Sequence, residues 1–312
     1  MDKELLYLHR KAIIIGVPIL VILLVYPMFV SGYFLRFATS LIMWLTLAIA
    51  WNIFTGNTGY INFGVAAFFG LGAYLTGLLM VVYGLPFGIA LPIGALSTAF
   101  FAFVLGIPTL RLRGAYFALA TWAVAEALKQ FFLNLSIKGK PGTLGIELPI
   151  YYNYTFFYYL FLTWMIASFI VSYIIDKSSF GISIRAIRED ELAAQSLGVN
   201  VVKLKLMMFV ISCLFMGLAG GTYAYYMTFI HPEEVFNVAI SIRTIVTVLL
   251  GGMGTVIGPV IGSVFFGVLF EILWASFPHI YLMIVGASIV LVIVVLPEGI
   301  VGIYEKLKAK LV

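Results

Sequence analysis

Charged side chains are scarce in this sequence, so the short segment that collects them carries most of the chemistry that can be read. The stretch SSFGISIRAIREDELAAQSLGVNVVKLK, residues 178 to 205, places Arg185, Arg188, Glu189, Asp190 and Glu191 close together. Gly181 breaks what precedes it. Ser183 to Leu197 has neither Gly nor Pro and is rich in helix formers, so a short helix is expected there, stopped by Gly198. Its charges would lie on one side, with Ile184, Ile187, Ala194 and Leu197 on the other. A membrane-surface anchor wants Lys or Arg with large apolar residues, whereas this segment has three successive acids beside small alanines, a composition suited to docking in a groove on a protein partner. A solvated loop helix is the plainer reading.

A second set of residues is defined by glycine. Setting IFTGNTGYINFG (53 to 64) over VLLGGMGTVIGP (248 to 259) aligns Gly56 with Gly251 and Gly59 with Gly254, each pair led by an apolar triplet before the first glycine. Such a repeat is weak. Close helix packing through small residues is one explanation. The other is that the two halves of a transporter each carry a broken helix lining a path, which would involve Gly56, Asn57, Gly59, Asn62 and Gly64 in one half and Gly251, Gly252, Gly254 and Gly258 in the other. Uncharged donors and acceptors such as Asn57, Thr58, Asn62 and Thr255 suit a zwitterionic or neutral polar solute better than an ion.

Other chemistries find little support. No G-x-x-x-x-G-K-[ST] occurs, so the chain has no P-loop to cradle ATP. Ion-coupled carriers bury carboxylates in their spans, and only Glu126 and Glu271 lie well within apolar runs. Glu126 stands three residues before Lys129, so a local ion pair competes with a coupling role; Glu271 sits near a run's end, where an interfacial position is the simpler account. His9, His231, His279 and Cys213 are isolated, which leaves no metal site, no disulfide framework and no cofactor to expect.

The elements that must position these residues are membrane helices. Of 312 residues, 63% are hydrophobic and 10% charged, against roughly 45–50% and 25% in a soluble domain. Apolar runs fall at 12–30, 37–55, 60–83, 86–109, 114–133, 151–175, 206–229, 240–253, 257–276 and 279–297. They lack the alternation of barrel strands and each is near the length that crosses a bilayer, so the expected fold is an all-α integral membrane protein of about ten transmembrane helices in two pseudo-repeated halves. The first run is too long for a cleavable signal and is read as a retained helix. The basic residues are not gathered into a stripe or arm, so the net charge of +5 does not point to nucleic acid. With a cytoplasmic N-terminus, 13 of the 18 Lys and Arg fall inside, and the positive-inside rule puts both termini in the cytoplasm. Residues 1–312 then form a single polytopic domain, with a cytoplasmic loop at 176–205 and an external loop from Ser136 to Pro149.

At that cytoplasmic loop the sequence resembles the M-type permease subunits of the Liv family, the ABC importers for branched-chain amino acids. The similar features are F-G, R-A-I-R-E, an E-x-A-A helix, L-G-[IV] and a span containing G-L-A-G, within residues 180–224. The blocks GNTGYINFGVAAFFGLGAY (56–74), RLRGAYFALATWAVAEAL (111–128) and LLGGMGTVIGPVIGS (249–263) match in the family's order. The resemblance implies a multi-pass permease of the plasma (inner) membrane that is not itself an enzyme. Its implied partners are a second permease subunit, two ATP-binding ATPase subunits and an extracytoplasmic substrate-binding protein. It further implies that the loop is a coupling helix, with Arg185, Arg188, Glu191, Ala193, Ala194 and Gly198 as its residues. The family usually has Gln where Tyr60 stands, Ser for Asn62 and His for Val65, departures beside the expected path. Leucine, isoleucine and valine are the implied substrates. Permeases for urea and short amides share most of these motifs, and an ion-coupled secondary transporter is the alternative of a different class.

Overall fold

The computed structural model describes residues 18–136 and 141–276, with residues 283, 286 and 299–302. The described chain is almost entirely helical. The helices α1 (Pro18–Phe29), α2 (Tyr33–Trp51), α3 (Val65–Val81), α4 (Phe87–Thr109) and α5 (Ala115–Asn134) run up to the loop that begins at Leu135. After it come α6 (Tyr154–Lys177), α7 (Ser179–Glu189), α8 (Glu191–Ser196), α9 (Val201–Met227), α10 (Pro232–Val235), α11 (Val238–Gly251) and α12 (Gly258–Ser276). Among the described residues, five helical stretches are long and apolar enough to cross a membrane: Tyr33–Gly56, Phe87–Thr109, Tyr154–Lys177, Val201–Met227 and Pro232–Gly251. Shorter apolar helices occupy Pro18–Phe29, Val65–Val81 and Gly258–Leu273. The apolar run at 279–297 and the basic residues near both termini lie outside the described residues, apart from positions 283 and 286.

The bundle is centred on α3, α4 and α9, and glycine decides how closely they approach. A Cβ on Gly72 would lie 2.2 Å from the Gly217 carbonyl oxygen, and one on Gly220 would lie 1.9 Å from that of Phe69, so α3 and α9 meet backbone to backbone. The opposite face of Gly217 receives Thr98 of α4. Phe54, Phe68 and Phe117 close edge-on around Phe209 at the end of this core. Outward, α4 presents Leu96 and Phe100, each more than three-fifths exposed, as a lipid-facing side does.

The loop between α5 and α6 carries structure of its own over residues 141–149. A 3-10 turn at Gly142–Leu144 leads into strand β1 (Ile146–Glu147), which pairs antiparallel with β2 (Phe229–Ile230), Ile146 opposite Ile230. Gly142 fits because a side chain there would enter the carbonyl cluster at the end of α5.

The charged loop also departs from expectation. Instead of one helix over Ser183–Leu197 there are two, α7 and α8, divided at Asp190, whose backbone is extended (φ −153°, ψ 112°). The cause is local: the Asp190 carboxylate accepts from the N–H groups of Leu192 and Ala193 at 2.8 and 3.0 Å, capping a new helix start. The preceding break is at Ser178, the N-cap of α7, and Gly181 lies inside the helix against the Ile175 carbonyl. Gly198 does stop α8, in the left-handed region at φ +84°.

Candidate functional site

The aligned glycine segments are two turns at the same end of the bundle. In one, α2 continues as a π-helical turn, Asn52–Gly56, before the chain reverses into α3; in the other, α11 ends at Gly251 and reverses into α12. Gly59 (φ +76°) and Gly254 (φ +86°), aligned in the sequence repeat, both take the left-handed conformation that glycine adopts freely. The turns touch: a Cβ on Gly56 would lie 2.9 Å from the Gly254 nitrogen. Asn52 joins them, its Oδ1 accepting from Gly254 N–H at 2.9 Å and its Nδ2 donating to the Thr255 carbonyl at 2.9 Å.

The charged loop closes over this junction. Arg188 of α7 donates from Nη1 to the Gly56 carbonyl at 2.8 Å, an oxygen left without a helical partner where α2 ends. The same guanidinium nitrogen would be 2.3 Å from a Cβ on Gly254, and the Arg188 stem would be 3.2 Å from one on Gly59. One arginine therefore contacts both turns.

A second tie lies beside it. Lys205 of α9 is fully buried, with Nζ 2.9 Å from Glu191 Oε1 and donating to the Tyr60 hydroxyl at 3.2 Å. Tyr60 donates to Glu191 Oε2 at 2.5 Å, and Arg113 approaches Glu191 at 3.9 Å. A buried charge needs such company. Burial tends to raise the Glu191 pKa. The hydrogen bonds from Tyr60 and Lys205 and the charges of Lys205 and Arg113 outweigh it and hold the carboxyl below its ordinary range. Burial first, then the bond to Glu191, raises the Tyr60 hydroxyl, so it remains a donor. Between the Tyr60 turn, Arg113–Gly114 and the start of α8 lies a polar groove of about 330 Å³.

The structure sorts the residues singled out from sequence. Gly56, Gly59 and Gly254 converge on Arg188. Gly251, Gly252 and Gly258 instead pack the α11–α12 turn against itself, a Cβ on Gly251 meeting the Gly258 carbonyl at 1.9 Å and one on Gly258 meeting that of Gly252 at 2.1 Å. Asn57 and Asn62 serve their own turn. Asn57 Nδ2 donates to the Ile53 carbonyl at 2.9 Å, Asn62 Oδ1 accepts from Gly64 N–H at 2.8 Å, and Trp51 Nε1 holds the Asn62 carbonyl at 2.8 Å. The loop charges point toward the bundle: Arg185 pairs with Asp176 at 2.7 Å, Arg188 caps Gly56 and Glu191 reaches Lys205. Ile184, Ile187 and Ala194 are buried, but Leu197 is 82% exposed, so it is not on the packed side expected of it. Ala193 and Leu192 are exposed beside it. Glu126 pairs with Lys129 at 2.6 Å in the second half of α5, and Glu271 accepts from the Tyr33 hydroxyl.

Two members of the junction carry no sequence signal of their own. Asn52 and Lys205 each belong to an apolar helix, and only the three-dimensional meeting of distant turns gives them partners. Tyr60 was marked only by its departure from the family's Gln.

Comparison with known proteins bears on this arrangement. A family model described as branched-chain amino acid transport system / permease component matches residues 33–294. The chain is 30% identical to the high-affinity branched-chain amino acid transport system permease protein LivM of Salmonella typhimurium, over 90% of this chain and 73% of the relative. It is 30% identical to the Escherichia coli protein of the same description, over 91% and 73%. It is also 27% identical to the guanosine ABC transporter permease protein NupQ of Bacillus subtilis, over 58% and 63%. No solved structure matches the chain.

Proposed function

From the premise that this chain belongs to the branched-chain amino acid transport permease family, we propose that it is the M-type permease of an ATP-driven importer for leucine, isoleucine and valine. On this reading it crosses the plasma (inner) membrane ten times with both termini in the cytoplasm. It pairs with a second permease, receives substrate from an extracytoplasmic binding protein and is driven by two ATPase subunits that hydrolyse ATP in its stead. The loop helices α7 and α8 are the coupling element. The observation that carries the reading is Arg188: the loop that would meet the ATPases holds, through one guanidinium, both glycine turns at one end of the bundle. A push on α7 or α8 is then transmitted to the ends of α2 and α11 without passing through flexible chain, and Glu191 and Lys205 extend the same tie to α9. Gly56, Gly59 and Gly254 form the inner gate of the path, and the packed Gly251, Gly252 and Gly258 form its hinge.

A nucleoside is the second reading, favoured by the likeness to the guanosine permease. The test is uptake into proteoliposomes containing the full complex, with ATP trapped inside and binding protein outside. ATP-dependent accumulation of radiolabelled leucine, competed by valine and isoleucine and not by guanosine, urea or acetamide, is expected. Accumulation that follows an imposed ion gradient without ATP would overturn the coupling assignment.

A further inference from the structure

At the opposite end of α2 from Gly56, about 30 Å away along the helix axis, a cavity of about 240 Å³ lies among α2, α6, α9 and α12. Tyr33, Arg36, Met43, Phe161, Tyr226 and Glu271 line it. A charge within membrane helices is costly unless it pairs or faces a wet cavity. Arg36 and Glu271 share this cavity, yet no ion pair among the described residues joins them. Arg36 instead lies over the Tyr154 ring at 4.8 Å, and Glu271 is held by the Tyr33 hydroxyl. Two opposite charges are thus kept apart across one cavity, each by a tyrosine from the end of a helix, with an apolar wall of Met43 and Phe161 between α2 and α6. An interfacial anchor would account for either charge alone; it gives no reason for both to be turned into the same space.

The geometry points to this cavity as an extracytoplasmic binding site for a free α-amino acid, with the carboxylate on Arg36, the ammonium on Glu271 and the apolar side chain against Met43 and Phe161. The assignment rests on the amino-acid import reading and adds to it a checkpoint within the permease itself. The guanidinium is suited to a carboxylate because its donors form a planar fork. The ammonium gains from the Glu271 charge and from the neighbouring Tyr226 ring. A molecule lacking either charge leaves one of the two groups unpaired, which is how a site rejects near relatives of its ligand.

The test is equilibrium binding of radiolabelled leucine to the purified complex of permeases and ATPases without binding protein, competed by leucinamide, which lacks the carboxylate, and by 4-methylpentanoate, which lacks the ammonium. In the wild type both should compete far more weakly than leucine. Arg36→Gln should weaken leucine binding roughly ten- to a hundredfold and bring leucinamide level with leucine. Glu271→Gln should weaken it similarly and bring 4-methylpentanoate level, and Arg36→Lys should restore part of the preference for a carboxylate. Should the Gln variants fail to assemble, Arg36→Lys and Tyr33→Phe are read by the same competition, and each should narrow the gap between leucine and its corresponding analogue. Absence of leucine binding to the wild-type complex, or an unchanged competitor order in the variants, would overturn the site. Leucine uptake with binding protein and ATP, measured separately, decides the import reading, so the two can fail independently.

Discussion

Arg188 donates to the carbonyl of Gly56, 132 positions earlier in the chain, across 2.8 Å. An oxygen at the end of a π-helical turn is thereby satisfied by a charge from the loop between α6 and α9. Replacing Arg188 with Gln should leave an inserted, assembled protein, because the site is only part-buried, while reducing ATP-driven uptake at least tenfold. Loss of one charge-assisted bond corresponds to about 1.5–3 kcal/mol. Unchanged uptake per ATP hydrolysed would show that the bond is structural only.

The pair Glu191 and Lys205 should matter more for stability. Lys205→Met leaves Glu191 without its main counter-charge, and a loss toward the lower end of about 3–5 kcal/mol is expected, since Glu191 is partly accessible. The double variant Lys205→Met with Glu191→Gln should recover part of that loss, and thermal melting of the detergent-purified protein measures both. The folded Glu191 carboxyl titrates below its unfolded value, so its contribution is complete above about pH 4.3 and is lost as pH falls through the lower folded value. Stability between pH 5 and 8 should not follow this group.

Glycine should be required unequally. Gly254→Ala places a methyl group 2.3 Å from the Arg188 guanidinium in a backbone conformation with φ +86°, and should cut uptake strongly. Gly77→Ala meets nothing closer than 3.6 Å and should be tolerated. Uptake normalised to folded protein separates a gate defect from a folding defect; equal normalised activity of the two variants would remove Gly254 from the path.

Leu192 of α8 (60%) and Leu197 at its C-cap (82%) are exposed. If the ATPases seat there, Leu192→Asp and Leu197→Asp should uncouple transport and weaken co-purification of the ATPase subunits. The permease's own stability should change by no more than about 0.5 kcal/mol, as at other surface positions. Ala194 is buried against Ile187 and Val201, so Ala194→Arg should detach α8 from the bundle instead, a different defect visible as loss of folded protein.

Orientation can be read chemically because the sequence holds one cysteine, Cys213, and it is buried. Cysteines placed at the exposed Tyr152 and Leu197 should label from opposite sides of the membrane with an impermeant reagent. Labelling of both from one side would invert the map of crossings between them.

Length and hydropathy are sufficient to locate nine helices from α1 to α12, because a membrane demands long apolar runs and tolerates few alternatives. They do not reveal where side chains meet. The division of the charged loop at Asp190 depends on a single capping carboxylate that helix propensity averages away. The inward turn of Arg188 and Glu191 depends on an orphan carbonyl at Gly56 and an amine at Lys205, which lie far from the loop in sequence. The glycine repeat was visible, but whether a given glycine makes a gate or a packing contact was not: Gly251 and Gly254 stand three residues apart and do different things.

The flush contact of Gly72 with Gly217 and of Gly220 with Phe69 bears on how such a machine can move. Where two backbones touch with no side chains between them, there are no rotamers to rearrange, and any slide along the seam brings a Cβ or a carbonyl into collision. Helices α3 and α9 are therefore expected to move as one chassis, with α4 seated on it through Thr76 and Thr98. By the same measure α11 and α12 are locked together, a Cβ on Gly262 meeting the Thr247 carbonyl at 1.9 Å, so relative movement is expected between α2 and the α11–α12 pair, whose contacts run through a bridging asparagine, an arginine and aromatic rings that can exchange partners. A covalent bridge between α3 and α9 would leave the cycle running, whereas one between α2 and α12 would stall it.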